Sequence, residues 1–408
     1  MDSSTCRSVF ASTATDDAPP ALVLELAKRI CNGHVVKSAK QTPLESRQEI
    51  STGTARFESV TTDDISVTLL ARGGYNDVWL VKATFRAQSA HFVLRLPNED
   101  SLEPHQIRNE VGWLRYIANE APEIPRPEVY EFLDQPRGDR PPFILEEYVD
   151  APRLSDVWMS FSETDKDDIA RQIAELIVRL GELRFDCIGG MTPGGTLGPT
   201  VEGAKLFKGR SKFHDPACYD LGPYRSIQEY ILAQYDKEIY YYTHASDDIV
   251  DQDLFCKVSQ SDYVEELKRE RIAAESELDR SPRMEPFVLC HNDLHSRNVL
   301  MNGTKVAAII DWEFAGAYPL SELNADTFEV MEWESEEAGD EILRWGRRIR
   351  SELVPGIATE RRWDPKDIVL LTSAGDQLLQ SARVEMCPSG IGESDLDEDA
   401  GIAADNEG

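Results

Sequence analysis

The chain has 408 residues, of which 41% are hydrophobic, so it is long enough to form two lobes that each bury a core. Its formal net charge of −31 argues against binding nucleic acid or an anionic membrane surface through a basic patch. Its seven cysteines form no CxxC pair, which favours a reducing compartment, and no apolar run approaches the roughly 20 residues that a membrane helix needs.

Residues 1–55 form a predicted N-terminal extension. Up to residue 19 the chain is rich in Ser, Thr, Ala and Asp, which predicts disorder. This stretch also lacks the apolar core of a secretory signal, so we predict a cytoplasmic protein. Apolar residues at helical spacing then predict a short helix over Ala21–Cys31, which Gly33 ends.

Residues 56–149 are predicted to form a β-rich lobe. The candidate strands, which are short apolar or alternating runs, are Ile65–Leu70, Val78–Thr84, His91–Leu96, Glu128–Leu133 and 141–149. Gly73 and Gly74 lie between the first two strands, where glycine lets the backbone approach a phosphate and point its N–H groups at it. Taken alone, the pattern fits a plain hairpin turn better than a phosphate-binding turn.

Residues 150–389 are predicted to form a mainly helical lobe. Apolar residues at helical spacing predict a long central helix over Thr164–Phe185 and further helices over Tyr224–Tyr242 and Tyr263–Leu278. In the irregular arm between the first two of these helices, Val201–Phe207 is a candidate strand. The last residues, 390–408, carry seven acidic and no basic side chains, and we predict that they form a disordered acidic tail.

The densest pattern of chemistry-bearing residues lies in Phe287–Glu313. An Asn-Gly pair at 302–303 between two apolar runs predicts a β-hairpin, because such a pair suits the two positive-φ positions of a type I′ turn. Polar side chains gather at the open end of this hairpin: Asp293 and Asn298 enter it, and Asp311 leaves it. Carboxylate and amide oxygens favour a hard cation such as Mg²⁺.

These residue types suit the transfer of a phosphoryl group to a hydroxyl. The attacking hydroxyl needs a carboxylate that orients it and accepts its proton, a role that we assign to Asp293. Oxygen ligands must also hold the Mg²⁺ that neutralises the β- and γ-phosphates, a role that we assign to Asn298 and Asp311. Hairpin geometry alone does not bring these two ligands together, so we expect the loop 291–298 to fold back, with His291 supporting it by hydrogen bonds.

The same stretch resembles a known family. The run HNDLHSRN at His291–Asn298, followed by IDWE at Ile310–Glu313, resembles the aminoglycoside phosphotransferase family, a branch of the kinase-like fold shared with choline and fructosamine kinases. The resemblance covers residues 57–386. It implies an α+β, two-lobed protein-kinase-like fold, with a small β-rich N-lobe and a larger, mainly helical C-lobe. It also implies that the chain uses ATP and Mg²⁺ to phosphorylate a hydroxyl of a small molecule.

The resemblance also implies which residues bind ATP. In the family, a Gly-Gly-x-Asn turn covers the phosphates, and a cation on the third strand contacts them while a helix glutamate holds it. Arg95 stands where most kinases have lysine, and Glu110 lies on a predicted helix over Gln106–Ala118; a surface arginine and a solvated glutamate are the alternative. Backbone groups of a hinge strand bind adenine. The implied residues are Gly73, Gly74, Tyr75, Asn76, Arg95, Glu110, Glu147 and Val149.

The sequence constrains the acceptor less than the catalytic residues. In the resembling enzymes acidic side chains bind substrate amines, which makes Glu332 and Glu334 candidates and favours an amine-bearing acceptor; a solvated helix face is the alternative. Two other functions stay open. One is a catalytically silent kinase-fold protein that binds or regulates. The other, a protein kinase, ranks lower because neither an APE-like sequence nor a long activation segment follows Asp311. The oligomeric state is undetermined.

Overall fold

The structure, a computed structural model, describes residues 21–33 and 65–388 except 86–87, 100, 206–208, 247–248, 251–254, 256–257, 326–327, 334, 374 and 387. The disorder predicted for residues 1–19 and 390–408 lies outside these ranges. Within them, no helix has the length and apolar character needed to span a membrane. Residue contacts divide the chain into two units, Met1–Ser101 with Pro127–Tyr148, and Leu102–Arg126 with Val149–Gly408.

In its described part, the first unit contains a helix and a five-stranded antiparallel sheet. The helix, α1, spans Ala21–Gly33, as its apolar spacing predicts. The strands are β1 (Ile65–Arg72), β2 (Asn76–Phe85), β3 (Gln88–Pro97), β4 (Val129–Leu133) and β5 (Phe143–Glu147). They pair in the order β1-β2-β3-β5-β4. All five predicted strands are confirmed, with small differences at their ends.

The core of the first unit forms where α1 packs against the sheet. On β1, Ile65 and Val67 are buried, while the residues between and after them are more exposed. Val23 and Leu26, which lie on one face of α1, belong to the same hydrophobic cluster as these strand residues. Full burial of one such side chain contributes about 1.5–3 kcal/mol. The alternation that predicts the strands therefore also selects the residues that meet the helix.

The second unit is mainly helical. Its helices are α2 (His105–Glu120), α3 (Leu154–Val157), α4 (Glu163–Gly181), α5 (Ile227–His244), α6 (Gln260–Arg280), α7 (Glu336–Arg348), α8 (Val354–Glu360), α9 (Pro365–Thr372) and α10 (Gln377–Arg383). Its short strands are β6 (Arg184–Phe185), β7 (Gly190–Met191), β8 (Leu197–Gly198), β9 (Phe287–Cys290), β10 (Val299–Asn302), β11 (Lys305–Ile309) and β12 (Gly316–Pro319). They pair as β12-β9-β6, β10-β11 and β7-β8. The two units confirm the predicted α+β, two-lobed protein-kinase-like fold.

The central helix α4 is shorter than predicted. Ser162 caps its start, as a serine before an apolar periodic run should. The helix ends at Gly181, and not at Phe185, because Arg184 and Phe185 form β6 and pair with β9. Helical spacing continues through this stretch in the sequence. The strand partner lies about a hundred residues away, so no local pattern reveals it.

The strand predicted over Val201–Phe207 is wrong in its described part, where Gly203–Lys205 forms a 3₁₀ turn. The Lys205 N–H donates to the Glu202 carbonyl at 3.0 Å, so the chain turns back. Residues three apart on a strand point to opposite faces, whereas here the side chains of Glu202 and Lys205 both pair with residues of α5. The need to pair these buried charges explains the turn.

Glu202 and Lys205 belong to a buried ion cluster. Its members are Glu202, Lys205, Arg210, Lys237 and Glu238, and none of them is more than 9% exposed. Glu238 accepts from Lys205 Nζ at 2.9 Å and from Arg210 Nη2 at 3.0 Å. Lys237 Nζ lies 3.2 Å from Glu202 Oε2. Burial alone would raise the pKa of Glu238, but the two cations outweigh it and lower that pKa below its usual range. Glu238 is therefore ionised at neutral pH.

Candidate functional site

Two loops of the second unit carry the predicted catalytic residues. The 291–298 loop connects β9 to β10, and the 310–315 loop connects β11 to β12. Strand β9 pairs with β12, and β10 pairs with β11. Each loop therefore connects the β9–β12 pair to the β10–β11 pair. Because the strands at both ends of the loops are paired, the ends of the two loops lie side by side.

The 291–298 loop folds back, as predicted. The Ile310 N–H donates to the Asn298 carbonyl at 2.9 Å. His291 Nε2 lies 3.1 Å from the Ile310 carbonyl, and because a carbonyl only accepts, this nitrogen carries the proton and donates. The two bonds place Asn298 beside the residue that precedes Asp311. The predicted supporting role of His291 is confirmed.

Strands β10 and β11 form the predicted hairpin, but its turn lies one residue later than the Asn-Gly pair suggests. Asn302 is the last residue of β10 and pairs with Lys305, so Gly303 and Thr304 form the turn. Of the Asn-Gly pair, only Gly303 has a positive φ, 59°. The pairing register shifts between residues 300 and 301, which is an irregularity that the turn sequence does not encode.

The Asp293 carboxylate is held by two side chains of its own loop. Asn298 Nδ2 donates to Asp293 Oδ2 at 3.0 Å and to the Asp293 carbonyl at 2.9 Å. His295 Nε2 lies 3.1 Å from Asp293 Oδ1. The Asp293 side chain is 37% exposed, so part of it can still meet another molecule. An oriented and partly open carboxylate is what a general base requires.

The pKa shifts of the loop agree with this geometry. Burial alone would raise the pKa of Asp293, but the hydrogen bonds from His295 and Asn298 outweigh it and lower that pKa below its usual range. Burial lowers the pKa of His291, and the Asp293 and Asp311 carboxylates act in the opposite direction. At neutral pH Asp293 is ionised and His291 is neutral.

Asn298 and Asp311 offer the oxygen ligands that Mg²⁺ prefers. The amide nitrogen of Asn298 is used by Asp293, which leaves its Oδ1 as the ligand atom. Asp311 has a φ of 68°, a conformation that clusters at functional sites in non-glycine residues. Mg²⁺ typically takes one or two protein ligands besides phosphates and water. The described residues accordingly fit Mg²⁺, although they contain no cluster of three or more His, Cys, Asp or Glu side chains able to hold a metal ion.

Asn109, on α2, positions the 310–315 loop and was missed by the sequence analysis. Its Nδ2 donates to the carbonyls of Glu313 and Ala315 at 2.9 and 2.8 Å. Its Oδ1 accepts from the Met191 N–H at 2.8 Å. Residues all around the circumference of α2 are buried, so periodicity does not distinguish Asn109 from its neighbours. Two of these bonds anchor the 310–315 loop to α2, and the third joins the same amide to Met191 on β7.

In the first unit, Gly73 and Gly74 form the predicted turn between β1 and β2. The Gly73 N–H donates to the Asn76 carbonyl at 2.7 Å. A side-chain carbon on Gly73 would lie 3.0 Å from that carbonyl oxygen, whereas one on Gly74 would meet no atom within 4 Å. The space above Gly74 suits close approach of a phosphate to the backbone.

Asn98, which follows β3, holds this glycine turn and was also missed. Its Nδ2 donates to the carbonyls of Gly73 and Gly74 at 3.2 and 2.9 Å. Its own N–H donates to the Tyr75 carbonyl at 2.9 Å. Tyr75 and Asn76 are buried. The conformation of the turn therefore depends on a side chain more than twenty residues away.

The remaining residues predicted to bind ATP lie in both units. Arg95 is on β3 of the first unit and Glu110 on α2 of the second, with exposures of 6% and 2%. The alternative of a surface arginine and a solvated glutamate is therefore wrong, while their pairing stays a prediction. The Glu147 N–H donates to the Glu128 carbonyl at 2.9 Å, so the prediction for this residue rests on its carbonyl. The Val149 carbonyl accepts from the following chain, so the prediction there rests on its N–H.

Residues 66–353 match the model of the APH phosphotransferase enzyme family. The chain belongs to this family. No curated protein matches the sequence. Among solved structures it is similar to aminoglycoside phosphotransferase APH(4)-Ia, at 18% identity over 83% of this chain and 90% of that chain, with a TM-score of 0.44. It is also similar to ADP-bound APH(2'')-Ib, at 14% identity over 78% and 95%, with a TM-score of 0.38. Similarity this distant carries no substrate over to the present chain.

In this phosphotransferase, Arg297 connects the 291–298 loop to Glu332, a predicted acceptor-binding residue. Arg297 Nη1 lies 2.8 Å from Glu332 Oε2. Arg297 Nη2 also lies 3.2 Å from His295 Nε2. A guanidinium only donates, so a bond to it would need an Nε2 without a proton, whereas the contact with the Asp293 carboxylate needs an Nε2 that carries one. Because a hydrogen bond to a charged carboxylate is the stronger, we assign the proton to Nε2. Glu332 thus has a cationic partner that the sequence pattern did not reveal. Glu334 lies outside the described residues.

Proposed function

We propose that this member of the phosphotransferase enzyme family transfers the γ-phosphoryl group of ATP, in the presence of Mg²⁺, to a hydroxyl of a small molecule. The proposal depends on one observation: the ionised Asp293 carboxylate is oriented by His295 and Asn298 and is still partly exposed. Asp311, with its positive φ, lies on the adjoining loop. Membership of the family supports the class of reaction.

Asp293 is the proposed general base. It would orient the acceptor hydroxyl and take its proton as the oxygen attacks phosphorus. The bonds from His295 and Asn298 restrict the carboxylate before the acceptor binds, so less orientational entropy is lost during the reaction. The carboxylate is deprotonated at neutral pH, as a base must be, because the hydrogen bonds from His295 and Asn298 outweigh the effect of burial on the pKa of Asp293.

Asn298 and Asp311 are the proposed Mg²⁺ ligands. The metal ion would neutralise the charge of the β- and γ-phosphates. Asn298 then has two functions, because its amide nitrogen orients Asp293 while its amide oxygen is left for the metal. The other proposed ATP contacts are the backbone of Gly73, Gly74, Tyr75 and Asn76 for the phosphates, Arg95 with Glu110 for their positioning, and the Glu147 carbonyl and Val149 N–H for adenine.

We further propose that the acceptor carries at least one amine. The net charge of −31 and the exposed carboxylates of Glu336 and Glu337, in the first turn of α7, support a cationic acceptor. Glu332 would meet the amine beside its ion pair with Arg297, and Glu334 remains a candidate from the sequence. Attraction between such charges is screened beyond about 8 Å at physiological ionic strength. The KM for the acceptor should therefore rise with added salt.

The test is a screen of amino alcohols and sugars with ATP and Mg²⁺, read by mass spectrometry for the phosphorylated product. We expect product from the wild-type protein, loss of product when EDTA removes Mg²⁺, and product formation slowed by about 10³–10⁴-fold in Asp293→Asn. The exposed Asp340→Asn on α7 is the matched control and should behave as the wild type does.

Two results would change the proposal. ATP binding without turnover on any acceptor, and without hydrolysis, would favour the catalytically silent kinase-fold protein. Phosphorylation of neutral or anionic alcohols alone would overturn the amine while leaving phosphoryl transfer in place.

A further inference from the structure

Asn292, the residue before the proposed base, has an unusual backbone conformation. Its φ is 63°, in the left-handed region that few non-glycine residues adopt. Asparagine tolerates this region better than most residues, but the conformation still costs free energy and persists only when the surroundings hold it. Because Asn292 adjoins Asp293, whatever holds Asn292 also directs the carboxylate that follows it.

The side chain of Asn292 is bound at both ends. Its Nδ2 donates to the Phe314 carbonyl at 2.8 Å, which ties the 291–298 loop to the 310–315 loop. Its Oδ1 accepts from Arg383 Nη2 at 2.8 Å. With both ends of the amide engaged, rotation of this side chain would break at least one bond. The arginine thus acts on the loop through a single, defined contact.

Arg383 is itself held rigidly. Its Nη1 lies 2.6 Å from Glu322 Oε2, a side chain that is almost entirely buried. Its guanidinium lies 4.4 Å from the ring centroid of the buried Tyr318. Arg383 is the last residue of α10, which Leu379 and Ala382 anchor through their own burial. A planar fork that is paired at one nitrogen and stacked on a ring presents its other nitrogen in a fixed direction.

We propose that Arg383 is a positioning residue for the proposed base: it holds Asn292 in its left-handed conformation and thereby aligns Asp293. Arg383 lies beyond residues 66–353, so the family match does not include it. The inference rests on the proposed function in one respect, because it takes Asp293 to be the base. It adds that a residue 91 positions further along the chain is needed for that base to work.

The experiment compares Arg383→Met, Arg383→Lys, Asn292→Gly and the double variant Arg383→Met/Asn292→Gly. Glycine adopts the positive φ freely but makes neither side-chain bond, and Asn292 is exposed, so the change leaves no cavity. Arg283→Met is the matched control. Arg283 pairs with Asp376 and Glu277, and so attaches the segment before α10 without touching Asn292.

We expect Arg383→Met to lower kcat by about 10- to 100-fold, since a small misplacement of a catalytic group has effects of that size. The KM for ATP should change by less than about twofold. Arg383→Lys should keep the thermal stability, because the lysine ammonium can still pair with Glu322. It should still lower kcat, because an ammonium lacks the forked donors of a guanidinium. Adding Arg383→Met to Asn292→Gly should change kcat by less than about twofold, since the two residues act through one contact.

The control should lower the thermal stability and leave kcat unchanged. Additive losses in the double variant, or equal losses of kcat in Arg383→Met and Arg283→Met, would overturn the inference in favour of a structural role.

Hydrogen exchange separates this inference from the proposed function. If the wild-type protein shows no turnover, the proposed function fails, but exchange at residues 291–298 still reports on positioning. Faster exchange there in Arg383→Met than in Arg283→Met would support the inference without any activity. Equal exchange in the two variants would overturn it.

Discussion

Replacement of Asp293 by asparagine tests the proposed base with little change of shape. The substitution removes one negative charge and the ability to accept a proton. General-base assistance typically contributes about 10²–10⁴ in rate. At about 1.4 kcal/mol for each factor of ten, this corresponds to about 3–5 kcal/mol of the activation barrier.

The structure adds a second effect to this loss. The carboxylate has a donor on each oxygen, Asn298 Nδ2 at 3.0 Å and His295 Nε2 at 3.1 Å. An asparagine has one side-chain oxygen, so its NH₂ group would face one of these donors. A lost hydrogen bond to a charged group costs about 1.5–3 kcal/mol. Because the loop would also be misaligned, we expect the rate to fall by about 10³–10⁴, the upper part of the range.

The assay is Mg²⁺-dependent ATP turnover with an acceptor identified by the screen, together with calorimetric titration of the variant with Mg-ATP. Turnover should fall as stated, while the affinity for Mg-ATP should stay close to that of the wild type, since Asn298 and Asp311 are unchanged. Wild-type turnover by the variant would show that Asp293 is not the base. A parallel loss of Mg-ATP binding would place Asp293 among the metal ligands.

Three further predictions concern the metal, the glycine turn and the buried ion cluster. Asp311→Asn, which tolerates the positive φ, should weaken Mg-ATP binding by roughly tenfold or more in calorimetry; unchanged affinity would exclude Asp311 as a ligand. Asn98→Ala should raise the KM for ATP by about fivefold or more, because the two lost side-chain hydrogen bonds together contribute about 1–3 kcal/mol. In urea unfolding, Glu238→Gln should lower the free energy of unfolding by about 3–5 kcal/mol, whereas the exposed Glu265→Gln, paired with a lysine, should lower it by less than about 0.5 kcal/mol. Folding lowers the pKa of Glu238, so its contribution to the free energy of unfolding is present at pH values above the usual glutamate pKa and is lost as the pH falls through the folded pKa. Glu238→Gln should abolish that part of the pH dependence.

The sequence by itself determined the elements whose signals are local. Alternation of apolar residues predicted the strands of the first unit, and helical spacing predicted α2, α5 and α6, because each pattern reports which face of one element is buried. The spacing of Asp293, Asn298 and Asp311 predicted a base and two metal ligands. Residue type and short-range spacing suffice for that prediction, since both reflect the chemistry that the residues can perform.

Only the tertiary structure decided which distant groups support those residues. Asn109 meets the carbonyl of Glu313 across 204 positions, and Arg383 meets Asn292 across 91. The end of α4 at Gly181 likewise depends on pairing with β9. In each case the hydrogen bond joins segments that are far apart in the chain, and neither segment's sequence indicates that it contacts the other. The free energy of such a bond exists only once the chain has folded and both partners have left water.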